Sequence, residues 1–412
     1  MRFKAMKKNY VLLGCMLLTS ILSYGQSNIE IKEYETKPLY DFSIDLFDKL
    51  QKKQPKKNFI CSPFGVASLY RILGDGAEGT TRKEIDKTIG IDKKQMSYLV
   101  NYLKCNNEEF NLDIANQIIL NEKYNLKEDY KKEVESSYQA MMERMDFSDN
   151  NSVTRINNWC KNKTKGMIPT ILDTTNPAAL LYALNCIYMK GKWLSPFKEE
   201  KTKIEKFKLL SGTKIPMDIM RMEKIGLLYG ETNVFKSLSL DYMNADTKRF
   251  SLLLLLPNNG KKLDDITKYL KNHSLKEIDD IANDIIKVPN TEHHVHVKLP
   301  KFETSTETNI LETLKSMGIT HLGFPEANFS NMTDEKVGIN DSKQKAKIIV
   351  NEKGTEAAAI TEALGIMGYG AGPKTEPEII HHYFYATKPF IYLLVNEDTN
   401  TILLMGQFTG ED

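Results

Sequence analysis

The stretch Glu352-Lys-Gly-Thr-Glu-Ala-Ala-Ala-Ile-Thr-Glu-Ala363 decides how this chain is read. In an extended strand, successive side chains face opposite ways. Thr355, Ala357, Ala359, Thr361 and Ala363 then share one face, all small and uncharged. Glu356, Ala358, Ile360, Glu362 and Leu364 share the other, a mixed set suited to water. The first face fits a crowded sheet interior, while the glutamates keep the free segment soluble. The Glu-Ala-Ala-Ala run also has good helical propensity, which makes an alanine-rich helix the competing reading. Gly354 and the two threonines sit badly in that helix, so the strand is favoured. Gly365-Ile-Met-Gly-Tyr-Gly-Ala-Gly-Pro-Lys374 follows, and its glycine content predicts an exposed, mobile loop. A strand ready for insertion, wired to such a loop, implies machinery that moves.

The N-terminus sets the compartment. Arg2, Lys4, Lys7 and Lys8 precede an apolar run from Val11 to Leu22 and then Ser23-Tyr24-Gly25-Gln26, the outline of a secretory signal peptide over residues 1–25. The apolar run is short for a membrane span, and no later segment is long enough to cross a bilayer. Leu12-Leu13-Gly14-Cys15 has the outline of a lipoprotein site, but few apolar residues precede Cys15. Secretion is therefore expected over a periplasmic or surface-lipoprotein location. The net charge of +2 belongs to the whole chain. Residues 1–25 hold four of the 56 Lys+Arg and none of the 54 Asp+Glu, so the remainder carries −2. Such near-neutrality gives no support for nucleic acid or an anionic membrane as partner. Cys61, Cys105, Cys160 and Cys186 lie beyond the signal, an even count that permits two disulfides. A chain of this length does not need them, and the apolar runs around Cys61 and Cys186 suggest buried thiols instead.

Residues 26–412 read as a single domain, because no Pro/Ser/Gly linker divides Gln26 from Val350 and no internal repeat appears. Leu39, Phe42, Leu46, Phe47 and Leu50 recur at helical spacing. Thr81-Arg-Lys-Glu84 has the form of a capping box opening another helix, and Ile156-Asn-Asn-Trp159-Cys-Lys reads as a further one. Strands take over from Ala183 onward. Leu252 to Leu256 is an unbroken apolar run closed by Pro257, as expected of a strand buried on both faces. Phe390–Val395 and Thr401–Met405 flank Asn396-Glu-Asp-Thr-Asn400 as a hairpin. Helices first and strands later predict an α+β fold.

Six further segments, in order, carry a resemblance. They are Asn58-Phe-Ile-Cys-Ser62-Pro-Phe-Gly65-Val66, Gly76-Ala-Glu-Gly-Thr-Thr81, and Leu184-Asn185-Cys-Ile-Tyr-Met-Lys-Gly191-Lys-Trp193-Leu-Ser-Pro196-Phe197. Leu299-Pro-Lys301-Phe302, Met317-Gly-Ile319 and Lys345-Ala346 with Val350-Asn-Glu352 complete them. With Glu352, Gly354, Thr355 and Ala357-Ala358-Ala359 as the hinge, the chain from about Leu39 onward resembles the serpins, inhibitors of serine and cysteine proteases. The resemblance implies three β-sheets, about eight or nine helices, a hinge over 352–363 and an exposed reactive-centre loop over about 364–380. It further implies that Trp193 lies beneath the sheet where insertion begins and that Glu352 pairs with Lys301 at the sheet top. Ser62, Gly65, Asn185 and Gln344 would form a central polar cluster that rearranges as strands part. Taken alone, Trp193 is more often a plain core aromatic, and Ser62 and Asn185 more often a helix cap and a strand-end polar group. Two positions depart from the family: Gly65 stands where serine is usual and Gln344 where histidine is usual. Gln344 can donate and accept, but Gly65 supplies no side chain, which leaves the hydrogen bonding of this cluster open. Thr387-Lys388 replaces the usual Asp-His or Asp-Arg before Pro389, a minor change.

Counting from the hinge at family spacing places the cleaved bond at Met367–Gly368 or Gly368–Tyr369. The loop is several residues longer than usual, and Lys374–Thr375 stands as a secondary bond for a trypsin-like enzyme. Met367 or Tyr369 suits elastase-, chymotrypsin- or papain-type pockets. The expected partner is thus a target protease held covalently by a monomer, with no cofactor. A carrier or chaperone of the same fold is the alternative. Such members usually carry a bulky or charged hinge residue, which this chain lacks. Enzymatic readings find little support. Ser148-Asp-Asn150 and Ser342-Lys-Gln-Lys345 mimic penicillin-recognising motifs in the wrong order, with no Lys-Thr-Gly. Gly368-Tyr-Gly-Ala-Gly372 lacks the following helix of a phosphate loop. His294 and His296 share a strand face and, like His381-His382, are metal-ligand types. No carboxylate or cysteine stands at a fixed spacing from them, so no metal site is expected.

Overall fold

The computed structural model describes residues 33–243, 247–355 and 377–411. The signal segment, Ala357–Ala359 and the candidate bonds at Met367, Gly368, Tyr369, Lys374 and Thr375 lie outside these. The first part is mostly helical: α1 (Glu33–Lys53), β1 (Phe59–Cys61), α2 (Pro63–Gly76), α3 (Gly79–Ile89) and α4 (Lys93–Leu103). Next come β2 (Cys105–Asn106), β3 (Phe110–Asn121), α5 (Glu128–Tyr138), β4 (Met141–Met145), α6 (Asn150–Lys163) and β5 (Leu181–Lys192). Strands then dominate: β6 (Lys203–Lys208), β7 (Lys214–Ile225), β8 (Tyr229–Glu231), β9 (Phe235–Asp241) and β10 (Phe250–Pro257). Helices α7 (Leu263–Leu270) and α8 (Leu275–Ile286) lead to β11 (Thr291–Pro300), β12 (Phe302–Asn309) and α9 (Leu311–Lys315). The chain ends through β13 (Ile339–Asn351), β14 (Gly354–Thr355), β15 (Glu378–Tyr385), β16 (Phe390–Asn396) and β17 (Thr401–Phe408). Among the described residues this makes nine α-helices and three sheets, the α+β architecture expected.

The largest sheet runs β12-β13-β14-β5-β3-β2, with β4 pairing β3. A second runs β1-β17-β16-β10-β9-β8 and a third β15-β11-β7-β6. Helix α2 is buried along almost its whole length, packed between the first sheet at β3 and β5 and the second at β17. Ser62 caps it, accepting from the Gly65 N–H at 3.0 Å, and Pro63 opens its first turn. The helix is apolar nearly all round, as burial between two sheets requires. Its one cation, Arg71, is 1% exposed and neutralised by Asp75 at 2.9 Å and by Asp86. Strand β10 is buried at every position, and Leu39, Phe42, Leu46, Phe47 and Leu50 of α1 are buried in the core. All four described cysteines are buried.

One local expectation fails. Thr81 does not cap α3, which begins two residues earlier at Gly79 behind Glu78. The Thr81 hydroxyl instead donates to the His321 carbonyl and accepts from the Asn328 N–H. Glu84 accepts from the backbone and side chains of Thr320 and His321. Both residues of the apparent box are thus taken by a distant loop.

Candidate functional site

The central sheet is closed at one end and parted at the other. Strands β13 and β5 pair directly and in parallel from Ile339 beside Leu181 to Ala346 beside Ile187. Beyond that point Gly354 and Thr355 lie between them. Thr355 registers with Val350 and Gly191, and Gly354 with Asn351 and Lys192, antiparallel on both sides. Thr355, the first residue of the small face, is therefore paired inside the sheet together with Gly354.

Glycine is required at the entry. A Cβ on Gly354 would sit 2.0 Å from the Gly191 carbonyl oxygen, closer than any side-chain carbon can stand. Thr355 is fully buried, and its hydroxyl is 2.7 Å from the Tyr242 hydroxyl. The Tyr242 ring stacks on Trp193 with centroids 4.6 Å apart. Trp193 in turn holds the turn that delivers the hinge. Its Nε1 donates to the Asn351 carbonyl at 2.9 Å and its backbone N–H to the Lys353 carbonyl at 3.0 Å. Trp193 is thus both a core aromatic and a clamp on residues 351–353.

Glu352 is 6% exposed and lies 3.1 Å from the Lys301 ammonium, while its second carboxylate oxygen accepts from the Thr202 hydroxyl at 2.8 Å. Burial pushes its carboxyl upward, but the Thr202 and backbone hydrogen bonds together with Lys301 outweigh that. They hold it below the usual 4.5. A depressed folded-state value means that the contribution of Glu352 to stability is present above about pH 4.5 and fades as pH falls through the folded value. Glu352→Gln is expected to lower the melting temperature at pH 7, and the difference from wild type should shrink below pH 4.5. A gap that stays constant with pH contradicts the assignment. The Lys301 side chain is 41% exposed, so the pair acts at a partly screened site.

Lower in the sheet, five segments meet in one polar chain. The Gln344 amide donates to the Asn185 side-chain oxygen and to the Ser62 carbonyl, both at 2.8 Å, and accepts from the Ser62 N–H at 2.7 Å. The Asn185 amide donates to Asn116 Oδ1 at 2.8 Å, and Asn116 donates to the Ser68 hydroxyl at 2.9 Å. Ser68 donates to the Gly65 carbonyl, and the Ser62 hydroxyl to the Leu403 carbonyl at 2.6 Å. The network ties β13 and β5 to β3, α2 and β17 with every amide engaged. Gly65 is part of this fit, since a Cβ there would stand 2.4 Å from Asn185 Oδ1. The missing side chain at 65 and the long amide at 344 are thus complementary: one clears the space, the other spans it. Gly65→Ser is expected to cost about 1–3 kcal/mol of stability by overpacking. The loss should shrink in an Asn185→Ala background, measured by denaturant unfolding of both pairs. An undiminished loss argues against the clash.

The structure brings together Trp193, Lys301 and Glu352 at the top and Ser62, Gly65, Asn185 and Gln344 at the centre. Sequence reading missed Tyr242, Thr202, Asn116 and Ser68. Tyr242, Thr202 and Asn116 lie far along the chain from the groups they serve, and Ser68, three residues from Gly65, falls outside the quoted motifs. The described hinge ends at Thr355, so Ala357, Ala358 and Ala359 cannot be placed beside them.

Comparison with known proteins agrees with this geometry. The family profile described as Serpin (serine protease inhibitor) matches residues 38–410. Human neuroserpin is 26% identical over 388 residues, covering 89% of each chain. Among solved structures, Serpin48 of the insect Tenebrio molitor is 26% identical with a TM-score of 0.76, covering 92% of this chain and 98% of its own. Human thyroxine-binding globulin shares the fold at 22% identity and a TM-score of 0.76, covering 91% of this chain and 98% of its own. With a profile spanning nearly all the described residues and Gly354–Thr355 paired between two strands of its largest sheet, the chain belongs to the serpin family.

Proposed function

We propose that residues 26–412 form a secreted, monomeric suicide substrate of serine endopeptidases, with cysteine endopeptidases as a second target class. The observation that most supports this is Gly354–Thr355 lodged between β13 and β5. A target enzyme attacks a carbonyl in the loop at about 364–380 with its serine hydroxyl or cysteine thiolate. The peptide C–N bond breaks, the new amine leaves, and an acyl-enzyme forms. The bonds proposed are Met367–Gly368 or Gly368–Tyr369, with Lys374–Thr375 secondary. The severed loop is then free to continue from Thr355 as a new strand.

Insertion of residues 355–367 means parting the direct β13–β5 ladder and replacing it with two. About twelve residues at ~3.3 Å each carry the acylated enzyme ~40 Å. One additional ladder of about a dozen hydrogen bonds, at ~1 kcal/mol net each, supplies on the order of 10 kcal/mol. That suffices to distort an enzyme whose whole stability is ~5–15 kcal/mol. Deacylation stops once its oxyanion geometry is lost. In this scheme Glu352, Gly354, Thr355 and Ala357-Ala358-Ala359 are the hinge. Trp193, Lys301 and Glu352 gate entry, and Ser62, Gly65, Asn185 and Gln344 are the contacts that rearrange below it.

The second reading is a carrier or chaperone of the same fold. A small, neutral, buried Thr355 at the entry favours the inhibitor. Among the described residues no helix is long and apolar enough to cross a membrane. Incubation with trypsin-, chymotrypsin-, elastase- and papain-type enzymes, followed by denaturing electrophoresis, tests the reading. A detergent-resistant conjugate with at least one enzyme is expected. Loop cleavage by all of them without conjugate supports the carrier instead.

A further inference from the structure

Five of the seven histidines lie on two adjacent strands, His293, His294 and His296 on β11 and His381 and His382 on β15. Two carboxylates reach them, Glu292 from β11 itself and Glu223 from the neighbouring β7. Strands β11 and β15 run parallel, with His294 beside His381 and His296 beside Tyr383, so His294, His296 and His381 share a face. On that face His296 Nε2 and His381 Nδ1 are 2.9 Å apart, with ring centroids at 5.1 Å. His294 Nε2 meets Glu292 at 2.6 Å and its Nδ1 meets Glu223 at 3.3 Å. The other oxygen of Glu223 lies 3.6 Å from His296 Nδ1, and the Tyr383 ring stacks on His296 at 4.9 Å.

We propose that this seam binds one divalent late-transition ion, of the class of Ni2+, Cu2+ or Zn2+, through His296 Nε2 and His381 Nδ1. Two nitrogens bound at about 2.0–2.1 Å and a right angle stand about 2.9 Å apart, the separation already present. A tetrahedral angle needs about 3.3 Å, a small opening. The Glu223 carboxylate favours the proton of His296 on Nδ1, leaving a lone pair on Nε2. The proton between the two rings then belongs to His381 Nδ1. On metal binding it moves to His381 Nε2, so each imidazole stays neutral with one N–H. Imidazole ligands select these ions over Mg2+ and Ca2+, which prefer oxygen. Among the described residues no three such side chains surround one point, so water completes the ion's shell. His381 is exposed and leaves room for that water. The opposite face has a second close pair, His293 Nδ1 and His382 Nε2 at 2.8 Å. It is closed to an ion, because His293 is buried, its Nε2 is taken by Thr291 at 2.8 Å, and His382 packs on Tyr229.

The ion would rivet β15 to β11. Strand β15 is the edge of its sheet and the first described strand after the reactive loop, so the rivet fixes the far anchor of that loop. Calorimetric titration of the tag-free chain with NiCl2 is expected to show one ion per chain, displaced by imidazole, and no heat with MgCl2. His296→Ala and His381→Ala each remove the binding, and His321→Ala retains it. Because a variant can lose its fold, the unmutated chain gives a second readout. Ni2+ should shield His296 and His381 from diethyl pyrocarbonate and leave His321 as reactive as before. Absence of Ni2+ binding, full binding in His381→Ala, or shielding confined to other histidines overturns the proposal. No protease enters these measurements, so their outcome and that of the conjugate assay are independent.

Discussion

Thr355→Arg is expected to convert the proposed inhibitor into a plain substrate. Thr355 is fully buried between β13 and β5, with its hydroxyl on Tyr242 and the Tyr242 ring on Trp193. No carboxylate appears among these contacts to receive a guanidinium. An unpaired buried cation costs several kcal/mol even after relaxation, and Tyr242 also loses its partner. Every inserted state proposed above passes residue 355 through this position, so each one carries the penalty. Capture depends on a race between insertion and deacylation. A barrier raised by about 3 kcal/mol slows insertion on the order of a hundredfold. Conjugate yield on a denaturing gel should fall to a small fraction of wild type, while cleavage of the loop continues at an unchanged rate. Thr355→Ser, which keeps the hydroxyl and adds no bulk, should retain capture. Wild-type conjugate yield from a folded Thr355→Arg chain, with folding checked by near-ultraviolet circular dichroism, contradicts the scheme.

Local pattern made much of this architecture legible. The helical stripe from Leu39 to Leu50, the apolar run of β10 and the hairpin of β16 and β17 all appear where periodicity placed them, because each depends on neighbours a few residues away. The Thr81–Glu84 box misled for the opposite reason. Its composition is right for a cap, but the loop at 320–328 offers both residues better partners. Gly65 and Gln344 could be recognised as departures in sequence. That they compensate one another depends on where Asn185 points, which only the parallel pairing of β13 with β5 fixes. The Thr355–Tyr242 contact joins residues 113 positions apart, and the His296–His381 contact joins residues 85 apart. Register between distant strands leaves no local trace, so neither pairing could be read from spacing. Thr355 is legible as a small, neutral residue and Lys301 as the partner of Glu352, whereas Tyr242 and Thr202 are not.

Under the proposed mechanism the chain is stored short of its most stable arrangement. In the same proposed mechanism the direct β13–β5 pairing between Ile339–Ala346 and Leu181–Ile187 opens from the end where Gly354–Thr355 is seated. Each of the two parted strands would find a new neighbour in the inserted segment, so one whole ladder is gained. The gain of order 10 kcal/mol is released only when the loop is cut, since an intact loop remains tethered to β15. Spread over the unfolding entropy of a domain this size, it corresponds to a rise in melting temperature of about 10 °C or more. The most direct measurement is calorimetric melting of the chain before and after a single proteolytic nick between Gly365 and Lys374. The account predicts a markedly higher melting temperature for the nicked chain, and an unchanged or lower one contradicts it.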